Sequence, residues 1–263
     1  MPLPMFSPDQ DPGPDFAALL RSFEPQGQLS PVMGDVGEVT HGTTCVALRF
    51  ADGVVMAGDR RATSGNWISH RSIEKVFPAD HYSGVAIAGA AGPAIEMVRL
   101  FQLQLEHYEK VEGSVISLEG KANQLSQMVK AHLPNAMAGL AVVPLFAGFD
   151  LHRSEGRIWQ YDVTGGRYEE RDYAATGSGS MHASTVIKIQ RTEEMSQDDA
   201  VSLVVRALWQ AADEDSATGG PDLIRGIFPV VATITGEGFQ RLEDARIREI
   251  TQTVITDLEG AQP

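Results

Sequence analysis

Cysteine is almost absent from this chain: Cys45 is the only one in 263 residues. No disulfide can form within the chain, which excludes a disulfide-stapled scaffold and makes a reducing cytoplasm the expected compartment. Basic residues are also in short supply. Lys and Arg number 21 against 35 Asp and Glu, for a formal net charge of −14 at pH 7. Such a field repels nucleic acid and anionic membrane surfaces, so neither is expected as a partner. The N-terminus lacks the basic stretch and apolar run of an ordinary secretory signal. Long apolar runs are missing too. The stretch from Ala141 to Phe149 is too short to cross a bilayer and is broken by Pro144 and Gly148. There is no Gly-x-Ser-x-Gly nucleophile motif, and Ser178 stands only in a lone Gly-Ser-Gly. The seven histidines (His41, His70, His81, His107, His132, His152, His182) are scattered, and none has a second ligand at metal-ligating spacing. They read as surface and loop residues, and neither a metal nor a cofactor is expected. No repeat of the solenoid kind is visible.

What is present is enough apolar residue, 43%, to build one large domain with its own core. The composition changes near residue 42. Seven of the 14 prolines lie in 1–42, together with one basic residue, Arg21, against six acids. That segment reads as a largely unstructured leader, to be removed on maturation, and 43–263 as the folded domain. Within the leader Asp15 can cap a short helix in which Phe16, Leu19, Leu20 and Phe23 share one face. The pattern fits either a transient amphipathic turn or a docking patch for a neighbouring subunit.

Beyond residue 42 the pattern is regular. Residues 44–50 and 54–59 read as strands joined at Asp52-Gly53, a hairpin signal. Residues 73–77 and 83–89 read as a second hairpin across Pro78-Ala79-Asp80. Helices are predicted from about Pro93 to Glu112, with Ile95, Val98, Phe101, Leu105 and Tyr108 as the apolar stripe, and from about Leu118 to Leu133, with Ala122, Leu125, Met128 and Val129 inward. Strands return at about 142–150, 157–163 and 173–177, with Gly165-Gly166 as a turn. Helices follow at 179–190 and 197–213, then a strand at 229–235, a turn at Gly236-Glu237-Gly238, a short strand and a last helix at 243–256. Strands, two helices, strands, two helices is the order of an α+β protein, two sheets with helices outside, rather than of alternating βαβ units.

The stretch His41-Gly42-Thr43-Thr44 lies where the leader meets the folded domain. If the Gly42–Thr43 bond is cut, Thr43 gains a free α-amino group with an unperturbed pKa of roughly 7.7–8.0, able to act as a base on the hydroxyl of its own residue. A threonine with an N-terminal amine is a known substitute for the serine–histidine pair. Gly42, without a side chain, lets the backbone bend toward attack on its own carbonyl. Cys45, one step past Thr44 in a strand-like run, reads as a packed and inert thiol.

Around this stretch stand TTCVALRFADGVVMAGDRRAT from Thr43 to Thr63, Lys75 in IEKVF, Gly89 in AIAGAAG, Ser178 in GSGS, and DSATG from Asp215 to Gly219. With LEHYEKVEG and DEDSATGGPDLIRGIFP, this order of motifs resembles the proteasome β subunit, most of all the bacterial, actinobacterial type, over nearly all of 43–256. The resemblance implies an N-terminal nucleophile hydrolase fold, a four-layer αββα sandwich of two antiparallel sheets. It implies a precursor that cuts itself at Gly42-Thr43 and then works as a threonine endopeptidase. Thr43 is then the nucleophile, Lys75 the cation beside it and Asp59 the partner that holds Lys75, with Arg61 a weaker candidate for that network. The backbone N–H of Gly89 is implied as an oxyanion donor. Ser178, Asp215 and Thr218 match positions that orient the amine and a catalytic water. Many family members carry serine where Thr218 stands, which keeps the hydroxyl.

Ala62, Ile73, Phe77, Ile87, Ala91 and Ile95 match the specificity pocket. They are apolar, which favours apolar residues before the cut bond. Thr63 and Ala91 match positions whose backbones pair with an extended peptide. The implied partners are other β subunits in a seven-membered ring, α-subunit rings that control entry, a ring ATPase delivering unfolded chains marked by a small ubiquitin-like protein, and the unfolded substrates themselves. The competing readings are an inactive structural β subunit and another N-terminal nucleophile amidohydrolase. Thr43, Asp59, Lys75 and Asp215 are all present, which argues against the first; the GSGS and DSATGG stretches argue against the second.

Overall fold

The computed structural model describes residues 42–260; the amphipathic segment expected at Asp15 to Phe23 lies outside them. Two five-stranded antiparallel sheets form the centre. In the first, the hairpin of β1 (Thr44–Phe50) and β2 (Gly53–Gly58) turns at residues 51–52, with Phe50 opposite Gly53. Strand β10 (Tyr173–Gly177) pairs with the outer side of β1, and β11 (Val230–Thr235) and β12 (Gly238–Arg241) continue beyond β2. The second sheet runs in chain order: β5 (Val76–Asp80), β6 (Ser83–Gly89), β7 (Val142–Asp150), β8 (Glu155–Tyr161) and β9 (Arg167–Glu170).

Alternation along the strands builds three apolar layers. Cys45 and Ala47 of β1 and Val54 and Met56 of β2 face the other sheet, where Ala86, Leu145, Ala147 and Ile158 meet them. The intervening Val46, Leu48, Val55 and Ala57 face helices α4 (Ser180–Gln190), α5 (Gln197–Glu214) and α6 (Asp244–Gly260). The outer face of the second sheet carries Val85, Ile87, Val142, Phe146 and Trp159 against α1 (Ala91–Glu112) and α2 (Leu118–Ala131). The result is an αββα sandwich, as expected. Both faces of the central strands are covered, so β2 reads as a continuous apolar run rather than an alternating one. No helix among the described residues is long and apolar enough to cross a membrane.

Several elements depart from expectation. The hairpin of β3 (Ala62–Ser64) and β4 (Trp67–His70) was not foreseen, nor were β9 and the short α3 (Leu133–Met137). Strand β5 begins at Val76 rather than residue 73 and includes the tripeptide expected to be the turn. Pro78 is tolerated there, opposite Gly84, because β5 is the edge of its sheet and need not donate on both sides. Helix α1 starts at Ala91, two residues before Pro93, which places the proline in the first turn, where its missing N–H costs nothing.

Candidate active site

The site lies at the N-terminal end of β1, where Thr43 is almost completely buried. Its carbonyl oxygen accepts the Ser178 N–H at 2.8 Å, tying the start of the strand to the loop after β10. Asp59 follows the last residue of β2, so the β1–β2 pairing carries it back beside Thr44. Asp59 is wholly buried and its two oxygens accept four donors. Oδ1 takes the Thr44 N–H at 2.8 Å and Lys75 Nζ at 2.6 Å; Oδ2 takes the N–H groups of Arg61 at 2.9 Å and Gly219 at 2.8 Å. A buried carboxylate so fully satisfied is a fixed negative charge with one fixed orientation.

Lys75, only 3% exposed, is the counter-charge. Besides Asp59, Nζ donates to the Arg61 carbonyl at 2.6 Å and reaches the Gly42 carbonyl oxygen at 3.5 Å. The cation therefore sits beside the Gly42–Thr43 bond. Arg61 takes part through its backbone, while its guanidinium is held by the Ser216 carbonyl at 2.9 Å.

A second polar cluster lies on the amide side of Thr43. The Thr43 N–H points to Ser178 Oγ at 3.4 Å, and Ser178 Oγ donates to Asp215 Oδ2 at 2.5 Å. Thr218 Oγ1 donates to the same oxygen at 2.6 Å, and the Ala217 N–H to Oδ1 at 3.0 Å. Burial works against ionisation of Asp215, but the hydrogen bonds from Ser178, Thr218 and Ala217, with help from His182, outweigh it and hold the carboxyl below its ordinary pKa.

Two glycines are set by space. Gly89 has φ +110°, and a Cβ there would stand 2.1 Å from the Ala141 carbonyl oxygen. A Cβ on Gly42 would meet the Ala217 Cβ at 1.9 Å, with the Ala217 backbone at 2.7 Å. The Gly42 N–H is held by the Thr63 hydroxyl at 3.0 Å, so the residue before Thr43 is clamped from both sides. Beside Thr43 opens a pocket lined by Ala62, Ile73, Ile87, Gly89, Ala91 and Ile95.

Known proteins match this chain over most of its length. The family model described as "Proteasome subunit" matches residues 39–224. A "Proteasome subunit beta" of Acidimicrobium ferrooxidans is 61% identical over 251 residues, covering 94% of this chain and 91% of that one. This chain belongs to the proteasome subunit family. Proteins of the same description from Streptomyces griseus and Frankia casuarinae are 60% and 53% identical, covering 86% and 88% of this chain and 80% and 84% of theirs.

For this proteasome family member, the fold gathers Thr43, Asp59, Lys75, Gly89, Ser178, Asp215 and Thr218 around the Gly42–Thr43 bond. Five of the six expected pocket residues line one cavity; Phe77 does not, and packs instead with the core under α1. Phe77 is the second residue of β5, two past Lys75, and pairs with Val85. Thr63 contributes its hydroxyl. Sequence reasoning missed Glu74 and Ala94, which also line the pocket, so the lining is not wholly apolar. The Glu74 carboxylate is engaged by Arg241 at 2.6 Å. It also missed Thr44, Ala217 and Gly219. Gly219 lies 160 residues from the Asp59 it binds, and no local pattern announces such a pair.

Among the described residues no group of His, Cys, Asp and Glu is placed to hold a metal ion. Cys45 is buried behind the site, where its thiol donates a weak hydrogen bond to the Ile87 carbonyl oxygen at 3.7 Å, and burial pushes its pKa up to about 12.

Proposed function

We propose that the chain is the precursor of a catalytic proteasome β subunit, a threonine endopeptidase that frees its own nucleophile by cutting between Gly42 and Thr43. The observation that carries this reading is the placement of that one bond. Its carbonyl oxygen lies 3.5 Å from a buried lysine, and its N–H faces a serine held by an ionised aspartate. Neither arrangement is needed to hold a strand end in place.

In the precursor the Thr43 hydroxyl oxygen attacks the Gly42 carbonyl carbon, the C–N bond breaks as the hydroxyl proton passes to the Thr43 nitrogen, and the acyl group is left on oxygen as an ester. Water then hydrolyses the ester, releasing residues 1–42 with a C-terminal carboxylate and leaving Thr43 with a free amine. In the mature subunit that amine takes the hydroxyl proton as the oxygen attacks a substrate carbonyl. The Lys75 cation disfavours protonation of the neighbouring amine, so more of it is free base near neutral pH. Asp59 fixes the cation in place. The Gly89 N–H is the oxyanion donor, and one such donor is worth roughly 3–4 kcal/mol. The amine then returns the proton to the leaving nitrogen, and water, activated by the same amine, clears the ester.

The pocket beside Thr43 favours apolar side chains before the cut bond, because Ala62, Ile73, Ile87, Ala91 and Ile95 are apolar and its two charged residues, Glu74 and Lys75, are already paired with Arg241 and Asp59. The chain assembles with further β subunits and with α-subunit rings, in seven-membered rings that enclose the site, and a ring ATPase supplies tagged, unfolded proteins. The test is degradation of an unfolded casein-like protein by the assembled particle, with Thr43→Ala as the control. Loss of degradation in the mutant supports the reading. An inactive wild type with intact rings points to a structural subunit, and turnover of small amides alone to an amidase.

A further inference from the structure

Thr44, the residue after the nucleophile, has no place in the mechanism above, yet its side chain is bonded at both ends of a directed chain. It is completely buried. Its Oγ1 accepts the Gly179 N–H at 3.0 Å and lies 2.5 Å from Thr218 Oγ1. The direction of the second bond follows from counting hydrogens. A hydroxyl has one proton to give. Thr218 gives its proton to Asp215 Oδ2 at 2.6 Å, since an ionised carboxylate can only accept. In the contact with Thr44, Thr218 must therefore accept and Thr44 must donate.

The whole series runs one way, from the Gly179 N–H to the Thr44 hydroxyl, to the Thr218 hydroxyl, to the Asp215 carboxylate. Ser178 reaches the same carboxylate oxygen at 2.5 Å from the other side. Its proton is thereby committed, so Ser178 Oγ can only accept from the Thr43 nitrogen, 3.4 Å away. After cleavage this leaves the amine donating to Ser178 with its lone pair free to take the Thr43 hydroxyl proton.

We propose that Thr44 is a positioning residue for this reaction: by donating to Thr218 Oγ1 its hydroxyl holds Thr218 against the Asp215 carboxylate, and so holds that carboxylate where it takes the Ser178 proton and leaves Ser178 to accept from the nucleophile's amine. The helix that starts at Ser180, with Gly179 as its N-cap, supplies the fixed end of the chain, and that cap has no side-chain hydrogen bond of its own. The hydrogen-bonding method is economical, since Thr44 is anchored by the same strand pairing that places Thr43. Space reinforces it: a Cβ on Gly179 would stand 2.5 Å from Thr44 Oγ1 and 2.7 Å from Thr218 Oγ1, so that backbone can approach both hydroxyls only as glycine.

The inference rests on the threonine-protease reading, so wild-type and Thr43→Ala particles are measured alongside. Thr44→Val keeps the shape and removes the hydroxyl. It lowers kcat by about tenfold, the equivalent of one hydrogen bond, with KM nearly unchanged, because Thr44 does not line the substrate pocket. Thr44→Ser restores most of the loss. In a Thr218→Ala background Thr44→Val has no further effect, because the bond through which it acts is already gone. If the valine variant does not assemble, Thr44→Ala, which only removes atoms, is read in the same way. An inactive wild type overturns the protease reading itself. An active wild type with Thr44→Val at full kcat, or with the Thr44 and Thr218 effects simply multiplying, overturns the role of Thr44 alone.

Discussion

Replacing Lys75 by alanine separates two effects that the buried pair combines. Asp59 is wholly buried, and loss of Lys75 leaves its charge without a counter-ion. Breaking a buried pair from one side costs about 3–5 kcal/mol. Asp59 keeps three N–H donors, from Thr44, Arg61 and Gly219 at 2.8–2.9 Å, so the loss lies near the lower end, about 3 kcal/mol. Urea unfolding of the isolated precursor reads this as a lower midpoint at unchanged slope. Removing both charges with Asp59→Asn and Lys75→Met relieves the unpaired carboxylate, keeps an oxygen for the backbone N–H groups that Asp59 binds, and regains part of the stability. It regains no activity, because the cation beside Thr43 is still missing. The assembled Lys75→Ala and double-mutant particles are then assayed on a fluorogenic peptide with an apolar residue before the cut. Near-normal turnover by Lys75→Ala would refute the role given to the lysine. A double mutant no more stable than the single would refute the claim that an orphaned Asp59 carries the cost.

Gly42→Ala stops leader removal while the subunit still folds, since a methyl there overlaps Ala217 at 1.9 Å; intact mass retains residues 1–42. Cys45 resists alkylation by iodoacetamide at pH 8 in the native protein and reacts after unfolding, because burial holds its thiol near 12 and almost none is thiolate. Asp215 contributes stability that is present above its ordinary carboxylate pKa and is lost as the pH falls through its depressed folded value. Asp215→Asn therefore narrows the stability difference between neutral pH and pH 3, and an unchanged difference in urea midpoints contradicts the hydrogen-bonded carboxylate.

The sandwich was legible because its central strands are apolar on both faces and its helices carry one apolar stripe. The β1–β2 hairpin and α5 follow from those signals alone. The β3–β4 hairpin was not, because Trp67 to His70 are all exposed and show no burial pattern to read. The end of β5 was misplaced because Pro78 reads as a turn signal, whereas on a sheet edge a proline can stay within the strand. Within the site, the leader boundary drew attention to Thr43, and the motif order supplied the roles of Asp59, Lys75, Ser178, Asp215 and Thr218. The contacts of Thr44 with Thr218 and of Gly42 with Ala217 span some 170 residues of chain and exist only once β1 lies beside the loop after α5.

The most direct measurement is the intact mass of the subunit in assembled particles, for the wild type and for Thr43→Ala. Self-cleavage gives a wild-type chain beginning at Thr43, having lost residues 1–42, and a mutant that keeps them. A wild type that retains its leader in closed particles, or a mutant that still loses it at Gly42, would contradict self-cleavage by Thr43.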